Sequence, residues 1–245
     1  MNHHPLTAPA AGRAPLEVAS GLCAGLLIIS NIASTRMVEV GPFSFDGGTL
    51  IFPLTYVLGD LLTEVYGYAR SRAVIWTAFL CLGAAFLCLH LVSLFPSPAG
   101  WEGGDAWNSI LVLTPRLALG SLLAFLTGSL ANAWILSRLK ARSPGSPPLA
   151  RFVASSLGGE AADTLIFTSV AFLGVLEGDL WAELCLSNFV YKTGLEIALL
   201  PLSLFLARRL KRAEGRDQVD DVASLSPFPW PLGRGGPFRR GRELR

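Results

Sequence analysis

The chain has 245 residues, 51% hydrophobic and 16% charged, with 20 Lys or Arg against 18 Asp or Glu and a formal net charge of +2. With a mean hydropathy of +0.49, it is too apolar and too sparsely charged for an ordinary soluble domain. The small net charge says little by itself; the positions of the positive residues say more.

A bilayer-spanning helix needs about 20 mostly apolar residues. That predicts about six crossings, at 16–35, 49–66, 73–95, 114–136, 153–175 and 183–207. The expected fold class is all-α, a polytopic membrane protein of about six transmembrane helices. Residues 1–15 read as a disordered cytoplasmic N-terminus, without the basic start and short apolar core of a cleavable signal peptide. Residues 16–207 form the transmembrane domain. Residues 208–245 read as a basic, Pro/Gly-rich disordered tail that lacks the apolar periodicity of a packed core. Its arginines are compatible with anionic lipid or RNA, and a solvated tail is the simpler account.

The first segment carries Ser30, Asn31 and Ser34 as neutral donors and acceptors. The second, interrupted by Pro53 and Gly59, carries Asp60 and Glu64 one turn apart, hence on one helical face. Glu64 also lies near Tyr66, Tyr68 and Arg70, where it would reach interfacial water. The third segment holds Cys81, Cys88 and His90; these cysteines, with Cys23 and Cys185, lack the close spacing of a zinc site and read as packing residues. The fourth opens near Arg116, placed to snorkel, and includes Ser129 and Asn132, which read as interhelical hydrogen-bonding positions. Arg142-Ser-Pro-Gly-Ser-Pro-Pro148 is too rich in Pro and Gly for a helix and reads as a mobile loop. The fifth segment pairs Glu160 with Asp163 on one face and is thinned by Ser155, Ser156, Gly158 and Gly159, which permit close helix approach. The sixth carries Asn188, Tyr191, Lys192 and Glu196, with Lys192 spaced for an intrahelical pair to Glu196.

Arg70 and Arg72 follow the second segment, Arg138, Lys140, Arg142 and Arg151 lie between the fourth and fifth, and Arg208, Arg209, Lys211 and Arg212 follow the sixth. The links at 96–113 and 177–182 hold no Lys or Arg. Because Lys and Arg accumulate in cytoplasmic loops, both termini are expected in the cytoplasm, and Trp101, Trp107 and Trp181 fit an external aromatic belt. Leu58-Gly-Asp-Leu-Leu-Thr-Glu64 and Leu157-Gly-Gly-Glu-Ala-Ala-Asp163 form a short internal echo. If the first three helices repeat as the last three, the odd number inverts the second copy, giving two inverted three-helix repeats.

A carboxylate at the bilayer centre costs roughly 2.5–3.5 kcal/mol even on the lenient insertion scale, so intramembrane acids face a bundle interior or a wet cavity and suggest function by default. Phe52, Tyr56, Tyr66, Phe167, Phe172 and Tyr191 add aromatic faces. Stacking with edge hydrogen bonds is how a planar heteroaromatic base is read. A buried ion-pair network that only fixes helix register is the structural alternative.

Phe52-Pro-Leu-Thr-Tyr-Val-Leu-Gly-Asp-Leu-Leu-Thr-Glu-Val-Tyr-Gly67, Ser155-Ser-Leu-Gly-Gly-Glu-Ala-Ala-Asp-Thr-Leu-Ile-Phe167 and Tyr191-Lys192 with Pro201 resemble the queuosine precursor transporter family, also called the vitamin uptake transporter family. The similarity runs from about Asn31 to about Leu206. The resemblance implies uptake of 7-cyano-7-deazaguanine or 7-aminomethyl-7-deazaguanine, a 7-deazaguanine substrate, across a bacterial inner membrane for queuosine salvage in tRNA. Position by position it marks Asn31, Asp60, Glu64, Asp163 and Lys192. Glu160, Tyr56 and Tyr191 complete the candidate substrate-binding set. Ser129 and Asn132 stand where family members often have Gln and Asp, which leaves a changed substrate preference open.

On this reading Asp60 and Asp163 face each other across a central cavity and accept hydrogen bonds from the deazaguanine N–H groups, while Lys192 neutralises one carboxylate in the empty site. No catalytic residue, metal ligand or cofactor is expected. The partners are the substrate and the lipid bilayer, with a homo-oligomer left open and no direct nucleic-acid contact. No Walker motif appears, so this chain is not expected to hydrolyse ATP itself; proton coupling and facilitated diffusion predict the same sequence. Three rivals remain: a membrane substrate-binding component for another vitamin-like metabolite that needs an energising partner, a scaffold without ligand, and an intramembrane aspartyl protease. Gly59-Asp60 is half of the protease's Gly-x-Gly-Asp signature, but Val57 replaces the first Gly and no Tyr-Asp partner occurs.

Overall fold

In lipid every backbone N–H and C=O must find a partner within the protein, which makes helices the default for apolar segments. The computed structural model describes residues 14–40, 43–112, 115–143, 146–215, 217–220 and 226–227. Its order is α1 (Ala14–Ala33), β1 (Met37–Val40), β2 (Phe43–Asp46), a 3-10 turn (Gly47–Leu50), α2 (Phe52–Tyr66), α3 (Tyr68–Ser93), α4 (Gly104–Leu111), α5 (Pro115–Arg142), α6 (Leu149–Phe172) and α7 (Gly178–Glu214). The predicted crossings correspond to α1, α2, α3, α5, α6 and α7, so the protein is an all-α polytopic membrane protein.

Among the described residues, five segments are long and apolar enough to cross a membrane: Leu16–Ala33, Gly47–Tyr66, Tyr68–Ser93, Gly104–Arg142 and Gly178–Glu214. The other long helix, α6, is diluted by Ser155, Ser156, Glu160 and Asp163.

The links add structure that the sequence pattern did not suggest. β1 and β2 pair antiparallel, from Met37 opposite Asp46 to Val40 opposite Phe43, and α4 occupies the link after α3. Asp46 ends the hairpin by accepting hydrogen bonds from the Thr49 amide at 3.1 Å and the Thr49 hydroxyl at 2.8 Å. Ser34, the residue after α1, donates to the same carboxylate at 2.7 Å. This stitching holds the 3-10 turn against the end of α1.

α2 is the central helix. Two thirds of its segment (67%) is buried, against 17–22% of the other four apolar segments. Leu62, Val65 and Tyr66 pack with Cys23 and Leu27 of α1, Val74, Ile75, Ala78 and Leu82 of α3, and Phe125 of α5. Val57 and Leu61 pack on the other side with Leu136 of α5, Phe152 of α6 and Leu200 of α7. Pro53, which made this crossing look doubtful, sits in the first turn, where no intrahelical N–H bond is lost. Gly67, at φ 83°, separates α2 from α3 and so starts α3 five residues before the expected 73.

α5 and α6 approach most closely at glycines. A Cβ on Gly128 would meet Asp163 Cβ and Tyr56 Oη at 2.7 Å, and one on Gly159 would meet Asn132 Cβ at 2.7 Å. The small residues of α6 therefore bring its acids against α2 and α5.

The boundary expected at 207 is corrected: α7 continues to Glu214, because Lys211 in its last turns pairs with buried Glu64. Much of the N-terminal and C-terminal segments expected to be disordered lies outside the described residues. Of the described tail residues, Asp217, Gln218 and Asp220 bind the ends of α2, α3 and α5. Asp220 accepts from the Tyr68 amide at 2.7 Å and from Ser137 at 2.5 Å, and the Gln218 amide donates to the Val65 carbonyl at 3.3 Å.

Candidate functional site

Two polar centres lie inside the bundle, and they divide the predicted site residues between them. The first is at mid-membrane. Asp60 of α2, Glu160 and Asp163 of α6 and Glu196 of α7 are each 1–2% exposed. Helical spacing puts Glu160 and Asp163 on one face, and the glycine contact between α5 and α6 points that face at α2.

The partners of these acids differ. Asn132 of α5 donates to Asp60 Oδ1 at 2.8 Å, the interhelical role its isolated position suggested. Ser156 donates to Glu196 Oε1 at 2.6 Å. Lys192 forms an ion pair with Asp163 Oδ2, and its ammonium lies 4.6 Å from the centre of the Phe52 ring. The expected intrahelical pair of Lys192 with Glu196 is thus corrected. Asp163 presents the closer carboxylate from the neighbouring helix, and Glu196 finds a hydroxyl donor instead.

Several buried polar atoms here have no hydrogen-bond partner among the described residues: both oxygens of Glu160, Glu196 Oε2, Asn132 Oδ1, Tyr56 Oη, Thr164 Oγ1 and Thr193 Oγ1. Buried polar groups are nearly always paired, so a cluster of exceptions calls for a reason. All are oxygens, and they belong to four helices. Tyr56 is within electrostatic reach of Glu160, Asp163, Glu196 and Asp60, and its ring lies 5.4 Å from that of Phe52. The void beside Tyr56 and Asn132 amounts to about 10 Å³, room for about one water, so the bundle is closed around its polar groups.

The second centre is at the end of the bundle that carries the arginines and lysines. Glu64 is fully buried. Arg151 of α6 grips it with two bonds, Nη2 to Oε1 at 2.5 Å and Nε to Oε2 at 3.1 Å. Lys211 of α7 pairs with the same Oε1, and Lys140 of α5 stands 3.9 Å from it. Asp217 bridges Lys140 at 2.6 Å and Lys211 at 2.8 Å. These residues border a cavity of about 150 Å³. Glu64 was expected to reach interfacial water; it is instead sealed by three cations from three helices, because those helix ends converge on it. Arg151, Lys140 and Lys211 registered in the sequence only as signs of sidedness, although an acid near a basic helix end already implied a cationic partner.

Besides Glu64, predicted Asn31 stands apart from the mid-membrane acids. Asn31 donates to the Leu27 carbonyl of its own helix at 2.9 Å and lines a small crevice with Ile28, Leu82, Phe86 and Ile110. Tyr191 is half-buried beside Lys192 on α7. Glu196, Asn132, Thr164 and Thr193 join the centre without having been among the predicted site residues. Their signal was only polarity inside an apolar run.

Arg116 lies exposed at the start of α5. It donates to the carbonyls of Val170 at 2.6 Å and Leu173 at 2.5 Å, and so satisfies the free end of α6.

A family model described as "Putative vitamin uptake transporter" matches residues 46–206, a stretch that contains every mid-membrane acid and excludes Asn31. The chain is 29% identical over 175 residues to a "Probable queuosine precursor transporter" of Bacillus subtilis (strain 168), covering 71% of this chain and 76% of that protein. It is 25% identical over 171 residues to a protein of the same description from Haemophilus influenzae (strain ATCC 51907 / DSM 11121 / KW20 / Rd), covering 67% and 70%. No solved structure matches. With the family model spanning more than half of its length and the acids on the matched helices, the chain belongs to the vitamin uptake transporter family of multi-pass membrane transporters.

Proposed function

We propose that this transporter imports a queuosine precursor, 7-cyano-7-deazaguanine or 7-aminomethyl-7-deazaguanine, across the bacterial inner membrane. The observation that carries the proposal is the set of unpartnered buried oxygens at mid-membrane, on Glu160, Glu196, Asn132 and Tyr56. A guanine-type edge offers several N–H donors, and acceptors fixed on different helices suit such an edge. The names of the two relatives support the same substrate class.

In this reading Asp60 and Glu160 accept from the ring and amino N–H groups, and Tyr56 and Phe52 cover a face of the ring. Lys192 keeps Asp163 charged and fixed. Asp163 is already paired, so the direct acceptor role passes from the expected Asp60–Asp163 couple to Asp60 and Glu160. A closed bundle with polar groups at mid-membrane suits alternating access, in which one half rocks against the other around the site. Both termini lie in the cytoplasm on this reading, following the Lys and Arg at the α2–α3 junction, in the α5–α6 link and after α7.

The test is complementation. Cells unable to make or import queuosine precursors receive this chain, each precursor is supplied separately, and queuosine in tRNA is scored. The wild type should restore queuosine, whereas well-inserted Asp163→Asn and Lys192→Ala variants should not. No restoration with any precursor, despite confirmed insertion, overturns the substrate. Uptake by the purified chain alone in liposomes separates a self-sufficient transporter from a subunit that needs an energising partner.

A further inference from the structure

The mid-membrane centre has an unbalanced charge inventory. Asp60, Glu160, Asp163 and Glu196 are four buried carboxyl groups, and among the described residues Lys192 is the one cation that pairs with them. The cations paired elsewhere inside the bundle, buried Lys140 and Arg151 and half-buried Lys211, are committed to Glu64 and Asp217 at the basic end. Isolated ionised carboxylates in a low-dielectric interior are costly and take up protons instead.

The hydrogen bonds indicate which acid takes the proton. Asp163 has the Lys192 ammonium, Asp60 has the Asn132 amide, and Glu196 has the Ser156 hydroxyl. Glu160 has no donor to either oxygen. Around it, α6 contributes Asp163 and α7 contributes Lys192 and Glu196; α2 contributes Tyr56 and Asp60, and α5 the uncharged Asn132. Two of the charges acting on Glu160 are negative, and its one positive neighbour is already spent on Asp163.

We infer that Glu160 is a proton-binding site whose proton travels with the substrate, so that the chain is a proton symporter. The coupling to import rests on the transporter reading above, and proton occupancy of Glu160 does not. With the bundle open to the outside, external water gives one proton to the Glu160 carboxylate, and the neutral carboxyl then donates its O–H to the ring carbonyl of a deazaguanine while its C=O oxygen still accepts from the adjacent ring N–H. With the bundle open to the cytoplasm, the substrate leaves and the same proton passes to cytoplasmic water. With the neutral nitrile precursor, one proton and one substrate cross per cycle, carrying one positive charge inward.

Two measurements test this. In lipid nanodiscs at neutral pH, infrared spectra of the wild type should show the C=O stretch of a protonated carboxyl group that is missing in Glu160→Gln. Identical spectra would mean that Glu160 is ionised and would overturn the site. In liposomes clamped at zero membrane potential, the neutral nitrile precursor should accumulate in wild-type vesicles above its outside concentration when the outside is more acidic. Any uptake left in Glu160→Gln should no longer respond to the gradient. Equilibration without accumulation, or accumulation driven by a sodium gradient instead, overturns proton coupling. Absence of any deazaguanine exchange in the wild type would overturn the substrate assignment while the infrared result still decides the proton site.

Discussion

Glycine is interchangeable with alanine at some helical positions around the acids and not at others. A Cβ on Gly59 meets nothing within 4 Å, whereas one on Gly128 would press on Asp163, Tyr56 and the Gly159 carbonyl. Gly128→Ala is therefore expected to destabilise the bundle by about 1–3 kcal/mol through overpacking and to reduce uptake, with Gly59→Ala near neutral; unfolding in bicelles and an uptake assay check both. Glu64 makes a different point at the same scale. Glu64→Gln removes the one carboxylate that Arg151, Lys211 and Lys140 share, leaving buried cations uncompensated at a cost of about 3–5 kcal/mol. If Glu64→Gln unfolds at the wild-type midpoint, that cluster contributes nothing. The sequence revealed that Glu64 and Asp60 share a helix face but not that they serve different centres, since one turn along α2 separates a mid-membrane site from a basic helix end.

Among the elements, α7 departs furthest from expectation. At 37 residues it is about 55 Å long, well beyond the roughly 30 Å of a bilayer core, and its end reaches back through Lys211 to Glu64 and Asp217. Burial pushes the Asp217 carboxyl up, but hydrogen bonds and charges from Lys140 and Lys211 outweigh burial and hold it below the ordinary carboxylate range. A depressed acid contributes stability above its unfolded pKa of about 3.9 and loses it as pH falls through the lower folded value. The Asp217–Asp220 segment should therefore stay docked across the neutral and mildly acidic range and detach only below about pH 4. Spin labels at Val219 and Arg138 would report this as a distance that lengthens only in strong acid. In Asp217→Asn that acid step should disappear; a wild-type change between pH 5 and 7 would assign the docking to other groups. This segment was unreadable in the sequence, where a polar run after a basic helix end looks solvated whether or not buried cations lie within its reach.

Across the whole molecule, sidedness follows from the distribution of positive charge. In a background with the four cysteines replaced by alanine, Ser97→Cys should react with an impermeant maleimide added to intact cells. Ser143→Cys should react only after permeabilisation. The reverse pattern would invert the proposed orientation and exchange the exits assigned to substrate and proton.

The number of long helices, their approximate places and which of them carry the buried acids were determined by sequence alone, because hydropathy and helical spacing are local properties of the chain. The α2 crossing was harder to read because of Pro53 and Gly59 and rested on the Arg70 and Arg72 that follow it; the structure supplied the reason it holds, with Pro53 in the first turn of the helix. Pairing was decided only by tertiary structure. Lys192 has an acid one turn away on its own helix and binds Asp163, 29 residues back; Glu64 has arginines close by in sequence, and takes Arg151, 87 residues on. Ion pairs form between side chains that helix packing brings within reach, and that packing turns on Gly128 and Gly159, whose contacts exist only once α5 and α6 have met.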